Sequence, residues 1–303
     1  MPEIIYDLTA FSPAKVNLHL AVKEKRPDGF HNLESVFITV DFGDILNFSL
    51  KNDTDNDDSS NLTEISMMSG KKSLLIPLND NIIYKAISLF KEKTGLSYNF
   101  KINVKKKIPL GGGLGGGSSN AACALLSLNK MAGCPCSRSE LLEMAAVLGS
   151  DVPFFIHRTA AAYVTGRGEV IKPLDLPPLF LVLVSPGFSS NTARAFRLLD
   201  KYRVENNLII SSDSIFMSSA PNCENFRKKF FNDFLPVFPH QEKSIYNNII
   251  NALEESGALY ANLSGAGSIC FGVYKDEDTA RNAAKSFCGA DKWSVEFCRS
   301  LIL

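Results

Sequence analysis

The segment "IPLGGGLGGGSSNAACALLSL", residues 108–128, places six glycines and two serines in a nine-residue run, directly before a stretch of small and apolar residues. Glycine lets consecutive backbone N–H groups turn toward one point without Cβ clashes, and a helix that starts there adds the positive end of its dipole. The segment therefore predicts a loop that binds phosphate groups. A flexible linker is the alternative interpretation, and the strand pattern before the loop and the helix pattern after it disfavour it.

Two common phosphate-binding patterns do not explain this loop. A Walker A loop ends in Gly-Lys-Ser/Thr, but here Gly116 and Gly117 lead directly to Ser118, so the lysine is missing. The dinucleotide pattern G-x-G-x-x-G fits Gly111, Gly113 and Gly116, yet such a match is nearly automatic in a run this rich in glycine. The βαβ context that the dinucleotide pattern requires is also missing.

The composition excludes several classes of protein. The chain has 303 residues, of which 45% are hydrophobic, and is long enough for two domains. Lys plus Arg and Asp plus Glu both total 32, so no net charge favours nucleic acid or a membrane surface as a partner. The sequence shows no signal-peptide pattern and no apolar run that could span a bilayer, which favours a cytoplasmic protein. The pair Cys134 and Cys136 has no histidine nearby, so no metal site is expected.

Hydrophobic periodicity predicts the elements of the first half of the chain. Strands are predicted at 16–22, 35–41, 44–50 and 99–108, the last leading into the glycine loop. Helices are predicted from Asn81 to Lys93, from about Asn120 to Ala132, and from a capping box at Ser137 to Gly149. The polar run 51–72 is predicted to be a mobile excursion without secondary structure.

The second half has a different order of elements. After the prolines of 175–179, the pattern predicts a strand at 179–184, helices, strands at 258–263 and 268–274, a helix at 276–287 and a strand at 293–299. This order fits a split βαβ arrangement with added helices. We therefore expect two domains, residues 1–174 and 175–303.

Three segments resemble the GHMP kinases, the small-molecule kinases named for galactokinase, homoserine kinase, mevalonate kinase and phosphomevalonate kinase. "PLGGGLGGGSSNAA" (109–122) resembles their phosphate loop, and "SPAKVNLHL" (12–20) and "NLSGAGSICFGVY" (262–274) are similar to their first and third motifs. The resemblance implies an α+β fold with an N-terminal ribosomal protein S5 domain 2-like domain and a C-terminal ferredoxin-like domain. It also implies ATP and Mg²⁺ as cofactors and a monomer or homodimer.

Further segments indicate a branch of this family. "RPDGFHNLESVF" (26–37), "LGSDVPFFI" (148–156) and "NDF" (232–234) resemble the member that phosphorylates a cytidine diphosphate derivative of methylerythritol in non-mevalonate isoprenoid biosynthesis. In that member an aromatic side chain stacks on the cytosine and a histidine bonds to it. The residues implied to bind the substrate are Asn17, Phe30, His31, Thr192 and Phe196. Phe30 stands where the family commonly has tyrosine.

The resemblance also implies two catalytic residues. Asp151 precedes a helix start, where sequence alone favours a helix N-cap, and the resemblance implies the general base. Lys15 alone indicates a lysine on a solvated strand face, and the resemblance implies that it lies beside Asp151 and stabilises the transferring phosphoryl group.

The nucleotide-binding residues are implied in the same way. They are Asn81, Lys106, Pro109, Leu110, Gly111, Gly112, Gly113, Leu114, Gly115, Gly116, Gly117, Ser118 and Ser119. Asn81 has an exposed helix cap as its alternative role. Lys106 has a solvated strand end as its alternative, and Lys107 could take its place.

Three other functions stay open at this point. Another kinase of the family, acting on homoserine or in the mevalonate pathway, would share the glycine loop. A nucleic-acid-binding module is possible because the N-terminal fold also occurs in ribosomal proteins, although the neutral charge disfavours it. The third is an ATP sensor that binds the nucleotide without turnover.

Overall fold

The structure, a computed structural model, describes residues 5–51, 63–96, 98–208, 226–287 and 293–301. The chain forms two compact units. The first unit comprises residues 1–14, 42–108 and 115–158, and the second unit comprises residues 15–41, 109–114 and 159–303. Strands β1 (Asp7–Lys25) and β2 (His31–Leu50) pair with each other, and both contribute residues to both units. The domain boundary at residue 174 stays a prediction.

The first unit combines a sheet with a group of helices. The end of β2 pairs antiparallel with β5 (Phe100–Lys106), β5 pairs in parallel with β3 (Glu64–Ser69), and β3 pairs with β4 (Lys72–Ser73). The helices are α1 (Ile82–Thr94), α2 (Gly116–Met131), α3 (Arg138–Leu148) and α4 (Val152–His157). Helix α2 is buried on most of its surface and packs against the other three helices. The helix that follows the glycine loop is therefore a central element of this unit.

The predicted helices of this unit are confirmed, with one change in length. The capping box at Ser137 is present, because its hydroxyl accepts the Glu140 N–H while the Glu140 carboxylate accepts the Ser137 N–H. Helix α2 begins at Gly116, four residues before the predicted Asn120. Propensity disfavours glycine in a helix, but the Gly116 backbone lies so close to Ile108 that an added Cβ would be 2.8 Å from it. Close packing sets the start of the helix.

The expectation that residues 51–72 carry no secondary structure is wrong for the described part of that run. Strand β3 occupies Glu64–Ser69, with Met67 buried and opposite Val104 of β5. Met67 is the one buried residue of this strand, so the alternating pattern in the sequence was too weak to indicate it. Residues 52–62 lie outside the described residues.

The second unit contains a four-stranded antiparallel sheet. Its order is β11 (Ser294–Arg299), β8 (Phe180–Ser185), β10 (Cys270–Tyr274) and β9 (Tyr260–Leu263). Helices α7 (His240–Glu255) and α8 (Glu277–Phe287) pack on this sheet, and α5 (Thr192–Glu205) and α6 (Phe226–Lys229) precede them. This strand order is that of a split βαβ fold, so the predicted ferredoxin-like arrangement is confirmed. The start of β2 also pairs with β6 (Ala161–Gly166), and β6 with β7 (Val170–Pro173).

We searched the helices of the described ranges for a membrane-spanning segment. None of them combines the length and the apolar character that crossing a bilayer requires.

Candidate functional site

The carbonyl groups of the glycine loop are hydrogen-bonded within the second unit. The Gly111 oxygen accepts the N–H groups of Ser190 at 2.9 Å and Ser268 at 3.3 Å. The Gly112 oxygen accepts the Ile269 N–H at 3.2 Å. These bonds turn the carbonyl side of the loop toward the protein.

The carbonyl groups of the next two residues of the loop are also hydrogen-bonded. The Gly113 oxygen accepts the Ser264 hydroxyl at 3.1 Å, and the Leu114 oxygen accepts the Lys15 N–H at 3.0 Å. The N–H groups of 111–115 make no hydrogen bond to the part of the chain that the structure describes. Those of Gly116 and Gly117 belong to the first turn of α2, where no intrahelical acceptor exists. The loop thus presents donors and no acceptors, which suits an anion such as phosphate.

Gly113 and Gly117 are glycines for different reasons. Gly113 has φ +76°, and an added Cβ would lie 2.1 Å from the Ser264 carbonyl oxygen. Only glycine fits there. At Gly117 an added Cβ would meet nothing of the chain closer than 3.9 Å, the distance to Ile82. The space above Gly117 is therefore open to a ligand.

A buried carboxylate joins the two ends of the loop in the first unit. Asp44 of β2 is fully buried, and its Oδ1 accepts the N–H groups of Lys107 at 2.7 Å and Ile108 at 2.9 Å. Its Oδ2 accepts the Lys106 ammonium and, at 2.9 Å, the side-chain amide of Asn120. Lys106 to Ile108 lead into the loop, and Asn120 lies at the start of the second turn of α2. One side chain therefore fixes both ends.

Lys106 is not at a solvated strand end, so that alternative is wrong. It is 6% exposed, and its ammonium pairs with Asp44 and donates to Asn120 Oδ1 at 3.1 Å. The sequence could not show this, because the partner lies 62 residues away in the chain. Lys107 is exposed, so its side chain is the more accessible cation before the loop.

The two serines of the loop differ in their surroundings. The Ser119 hydroxyl is buried and lies 2.7 Å from the Ser12 hydroxyl, which also accepts the Asn120 amide at 2.8 Å. Ser118 is partly exposed, and its hydroxyl makes no hydrogen bond to the described residues. Ser118 is therefore the hydroxyl that a ligand can reach.

Asn81 caps helix α1, as its alternative role required, but it is buried and not exposed. Its Oδ1 accepts the Ile83 N–H at 3.0 Å, and its Nδ2 contacts the Met67 sulfur at 3.4 Å. Its side chain is thus used for structure inside the first unit.

Lys15 is also buried, so its interpretation as a solvated lysine is wrong. It is 4% exposed, its ammonium donates to Asn17 Oδ1, and it lies 4.5 Å from the centre of the Phe37 ring. The Asn17 amide donates in turn to the Ser35 hydroxyl at 3.0 Å. A charged donor held inside the second unit in this way has a fixed direction, as electrostatic catalysis requires.

Asp151 is at the N-cap position of α4, but its side chain does not cap that helix. Pro153 stands in the first turn of α4 and has no N–H to be capped. Asp151 is partly exposed at the positive end of a helix that packs against α2. Asp151 thus occupies the N-cap position, as sequence alone indicates, but its carboxylate makes no capping hydrogen bond.

His31 and Phe196 come together in the second unit. Their rings are stacked, with centres 5.1 Å apart and planes at 20°. His31 is buried, and its Nε2 lies 2.8 Å from Asp200 Oδ1. Thr192 lies one helical turn before Phe196 on α5 and is exposed.

Phe30 is not part of the stacked pair. Its side chain is 50% exposed, and the Arg167 guanidinium lies 5.0 Å from the centre of its ring.

The "NDF" segment supports the glycine turn of the third motif. The Asn232 amide donates to the carbonyl oxygens of Leu263 at 2.7 Å and Gly265 at 2.8 Å. Burial raises the pKa of Asp233, whose carboxylate accepts the Val22 N–H at 2.8 Å and the Arg203 guanidinium at 2.9 Å. The segment thus has a structural role beside the turn that holds the loop carbonyls.

Sequence reasoning did not find Asp44, Asn120 or Asp200. Each acts through a partner that is distant in the chain, so no local spacing indicates it. A signal was present for Asp44, since "FGD" (42–44) places a carboxylate on the first residue of the predicted strand 44–50, where a solvated turn end is the ordinary interpretation.

Comparison with known proteins identifies the class. Residues 81–159 match the GHMP kinases N terminal domain, and residues 241–291 match the GHMP kinases C terminal domain. A 4-diphosphocytidyl-2-C-methyl-D-erythritol kinase of Prochlorococcus marinus (strain AS9601) is 32% identical over 94% of both chains. The chain therefore belongs to the GHMP kinase family, a family of small-molecule kinases that use ATP, and the predicted α+β fold is confirmed.

Solved structures agree with this assignment. A 4-(cytidine 5'-diphospho)-2C-methyl-D-erythritol kinase has a TM-score of 0.76 at 27% identity, and the match covers 96% of this chain and 98% of the other. A homoserine kinase from Cytophaga hutchinsonii has a TM-score of 0.67 at 16% identity, with 100% of this chain and 96% of the other covered. The second likeness shows the fold alone.

Replacing Gly117 by alanine tests the phosphate-binding surface. We expect the thermal midpoint to stay equal or rise, because alanine favours the helix and meets no atom of the chain closer than 3.9 Å. The dissociation constant of ATP, measured by calorimetry, should rise about tenfold because the methyl group occupies ligand space. Unchanged ATP affinity would place the phosphates elsewhere.

Replacing Asp44 by asparagine tests the buried carboxylate. The substitution leaves the Lys106 ammonium buried without its counter-charge, so we expect the free energy of unfolding in urea to fall by about 3 kcal/mol or more. The double variant with Lys106→Met should recover part of this loss. Glu64→Gln, which removes a surface partner of Lys51, is the control and should change stability by less than about 1 kcal/mol. Strictly additive losses in the double variant would contradict the pairing.

Proposed function

We propose that this protein is a 4-diphosphocytidyl-2-C-methyl-D-erythritol kinase, which transfers the γ-phosphoryl group of ATP to the 2-hydroxyl of its substrate in non-mevalonate isoprenoid biosynthesis. The observation that supports the kinase activity is the glycine loop, whose carbonyls are hydrogen-bonded while its N–H groups make no hydrogen bond to the described residues. The substrate is supported by the stacked pair of His31 and Phe196 and by relatives of that name along 94% of the chain.

Phosphoryl transfer needs positioning, charge neutralisation and an acceptor for the proton of the attacking hydroxyl. We assign the role of proton acceptor to the Asp151 carboxylate, which is partly exposed at a helix start and makes no capping hydrogen bond. The Lys15 ammonium, held by Asn17, stabilises the negative charge that develops on the transferring group. Action of Lys15 and Asp151 as a pair stays a prediction.

ATP is bound through main-chain N–H groups of the loop and of the first turn of α2. Pro109 and Leu110 begin this loop, directly before its glycines. Mg²⁺ fits the same place, because Ser118 offers an accessible hydroxyl oxygen beside the phosphates. When bound, the ion would neutralise charge on the β- and γ-phosphates.

Three further residues have different roles in nucleotide binding. Lys107 supplies the accessible cation before the loop, while Lys106 acts through its ion pair with Asp44. Asn81 shapes the adenine side of the site by capping α1.

Substrate recognition is assigned to the second unit. The cytosine stacks on an aromatic ring of the Phe30 and Phe196 set and bonds to His31, while Asn17 and Thr192 contribute polar contacts. Phe30 keeps an aromatic ring for stacking but has no hydroxyl, and the Arg167 guanidinium lies 5.0 Å from the centre of its ring. We further propose that the enzyme acts in the cytoplasm as a monomer or homodimer.

A coupled assay of ADP release separates this proposal from the alternatives. We expect turnover with 4-diphosphocytidyl-2-C-methyl-D-erythritol, and at least about 100-fold lower kcat/KM with homoserine or mevalonate, since neither has a base for the His31 site. An equal or higher kcat/KM with homoserine or mevalonate would overturn the proposed substrate assignment. ATP binding without turnover of any of the three would indicate a sensor.

Asp151→Asn tests the general base. It keeps the size of the side chain but removes the proton acceptor, so kcat should fall by roughly 10² to 10⁴ while ATP and substrate still bind. Lys15→Met should lower kcat similarly, and the double variant should be little worse than either single variant. Asp175→Asn, at an exposed carboxylate, is the control. Activity of Asp151→Asn within a few-fold of the parent would show that Asp151 is not the general base.

A further inference from the structure

Asp200 of helix α5 binds two side chains from the neighbouring strand ends. Its Oδ1 lies 2.8 Å from Nε2 of His31, the first residue of β2, and its Oδ2 lies 3.3 Å from Nζ of Lys25, the last residue of β1. The His31 side chain is 5% exposed, whereas those of Asp200 and Lys25 are 35% and 58% exposed. The contact with His31 is therefore the buried one of the two.

This contact decides which nitrogen of His31 carries the proton. An ionised carboxylate only accepts hydrogen bonds, so Nε2 must donate to it. In a neutral imidazole the other nitrogen is then an acceptor. Nδ1 makes no hydrogen bond to the described residues, and it is not among the side-chain atoms that are buried without a partner. His31 thus offers a hydrogen-bond acceptor to a ligand.

The surrounding rings fix the plane of this acceptor. Phe196 is stacked on His31, and Phe234 meets Phe196 edge-on, with ring centres 4.9 Å apart and planes at 83°. A hydrogen bond to Nδ1 lies in the plane of the imidazole. A planar base that donates to Nδ1 and lies in the plane of the imidazole is nearly parallel to the Phe196 ring, so this orientation serves both interactions.

We propose that Asp200 is a positioning residue for base selection: it holds His31 in the tautomer that accepts a hydrogen bond from the exocyclic amino group of cytosine and rejects uracil. Uracil carries a carbonyl oxygen at that ring position, and two facing acceptors leave both without a donor. This inference rests on the proposed function, because it specifies how that substrate is recognised.

The tautomer can be measured without any substrate. We expect ¹⁵N NMR of the full chain at neutral pH to show His31 with a protonated Nε2 and an unprotonated Nδ1, the signals being assigned with His31→Gln. Asp200→Leu, which removes the acceptor at similar size, should shift the population toward the Nδ1-protonated form. A parent protein with Nδ1 protonated in the neutral ring would overturn the proposal.

Kinetics test the consequence for selectivity. We compare kcat/KM for the cytidine diphosphate substrate with that for its uridine diphosphate analogue. Asp200→Leu should reduce the preference for cytidine about tenfold or more, mainly through the KM of the cytidine substrate, while the KM of ATP stays unchanged. If Asp200→Leu does not fold, Asp200→Ala replaces it, since the side chain is at the surface of α5.

Two controls distinguish this role from a structural one. Glu205→Leu removes another carboxylate of α5, one that pairs with Lys201, and should leave the preference unchanged. Lys25→Met removes the other partner of Asp200 and should also leave it unchanged; an equal loss would assign the effect to the surface ion pair. Equal losses on both substrates in Asp200→Leu would overturn the proposal. If the parent turns over neither substrate, the proposed function fails, and the NMR tautomer still decides the role of Asp200.

Discussion

The buried carboxylate of Asp44 is the interaction on which the loop geometry depends. Four donors meet its two oxygens: two backbone N–H groups before the loop, the Lys106 ammonium, and the Asn120 amide. An ion pair at this depth stabilises little by itself, because desolvation offsets the attraction. Its value is geometric, since sharing this carboxylate fixes the end of a strand relative to the second turn of a helix.

The parts of the molecule that depend on local patterns were predictable from the sequence. The capping box at Ser137, the helix after Asn81 and the order of strands and helices along the second half of the chain follow from spacing and alternation within short windows. The ferredoxin-like domain was implied by the family resemblance. The glycine loop between a strand and a helix was predictable, because repeated glycines mark backbone that must turn without side chains. Its binding of phosphate stays a prediction. The kinase class followed from that loop and from two further motifs.

The burial of charged side chains was not predictable, because it depends on contacts between distant parts of the chain. Lys15 and Lys106 both stand in strands, where solvation is the ordinary expectation for a lysine, yet Lys15 lies over the Phe37 ring and Lys106 pairs with Asp44. Strand β3 was missed for the same reason, since its place is set by pairing with β5 and not by its own composition. The roles proposed for Lys15, Asp151 and His31 could not be derived from residue spacing in this sequence. They came from the resemblance to the kinase family.

The hydrogen-bonded carbonyls of residues 111–114 have a thermodynamic consequence. A run of glycines loses more conformational entropy on ordering than any other chain, at about 1 to 2 kcal/mol per residue. In this protein that entropy is lost during folding, because Ser190, Ser264 and Ile269 hold the peptide planes before a nucleotide arrives. The ATP binding that we propose for these residues would then resemble the docking of one rigid body on another, because the cost of ordering the glycines has already been met during folding.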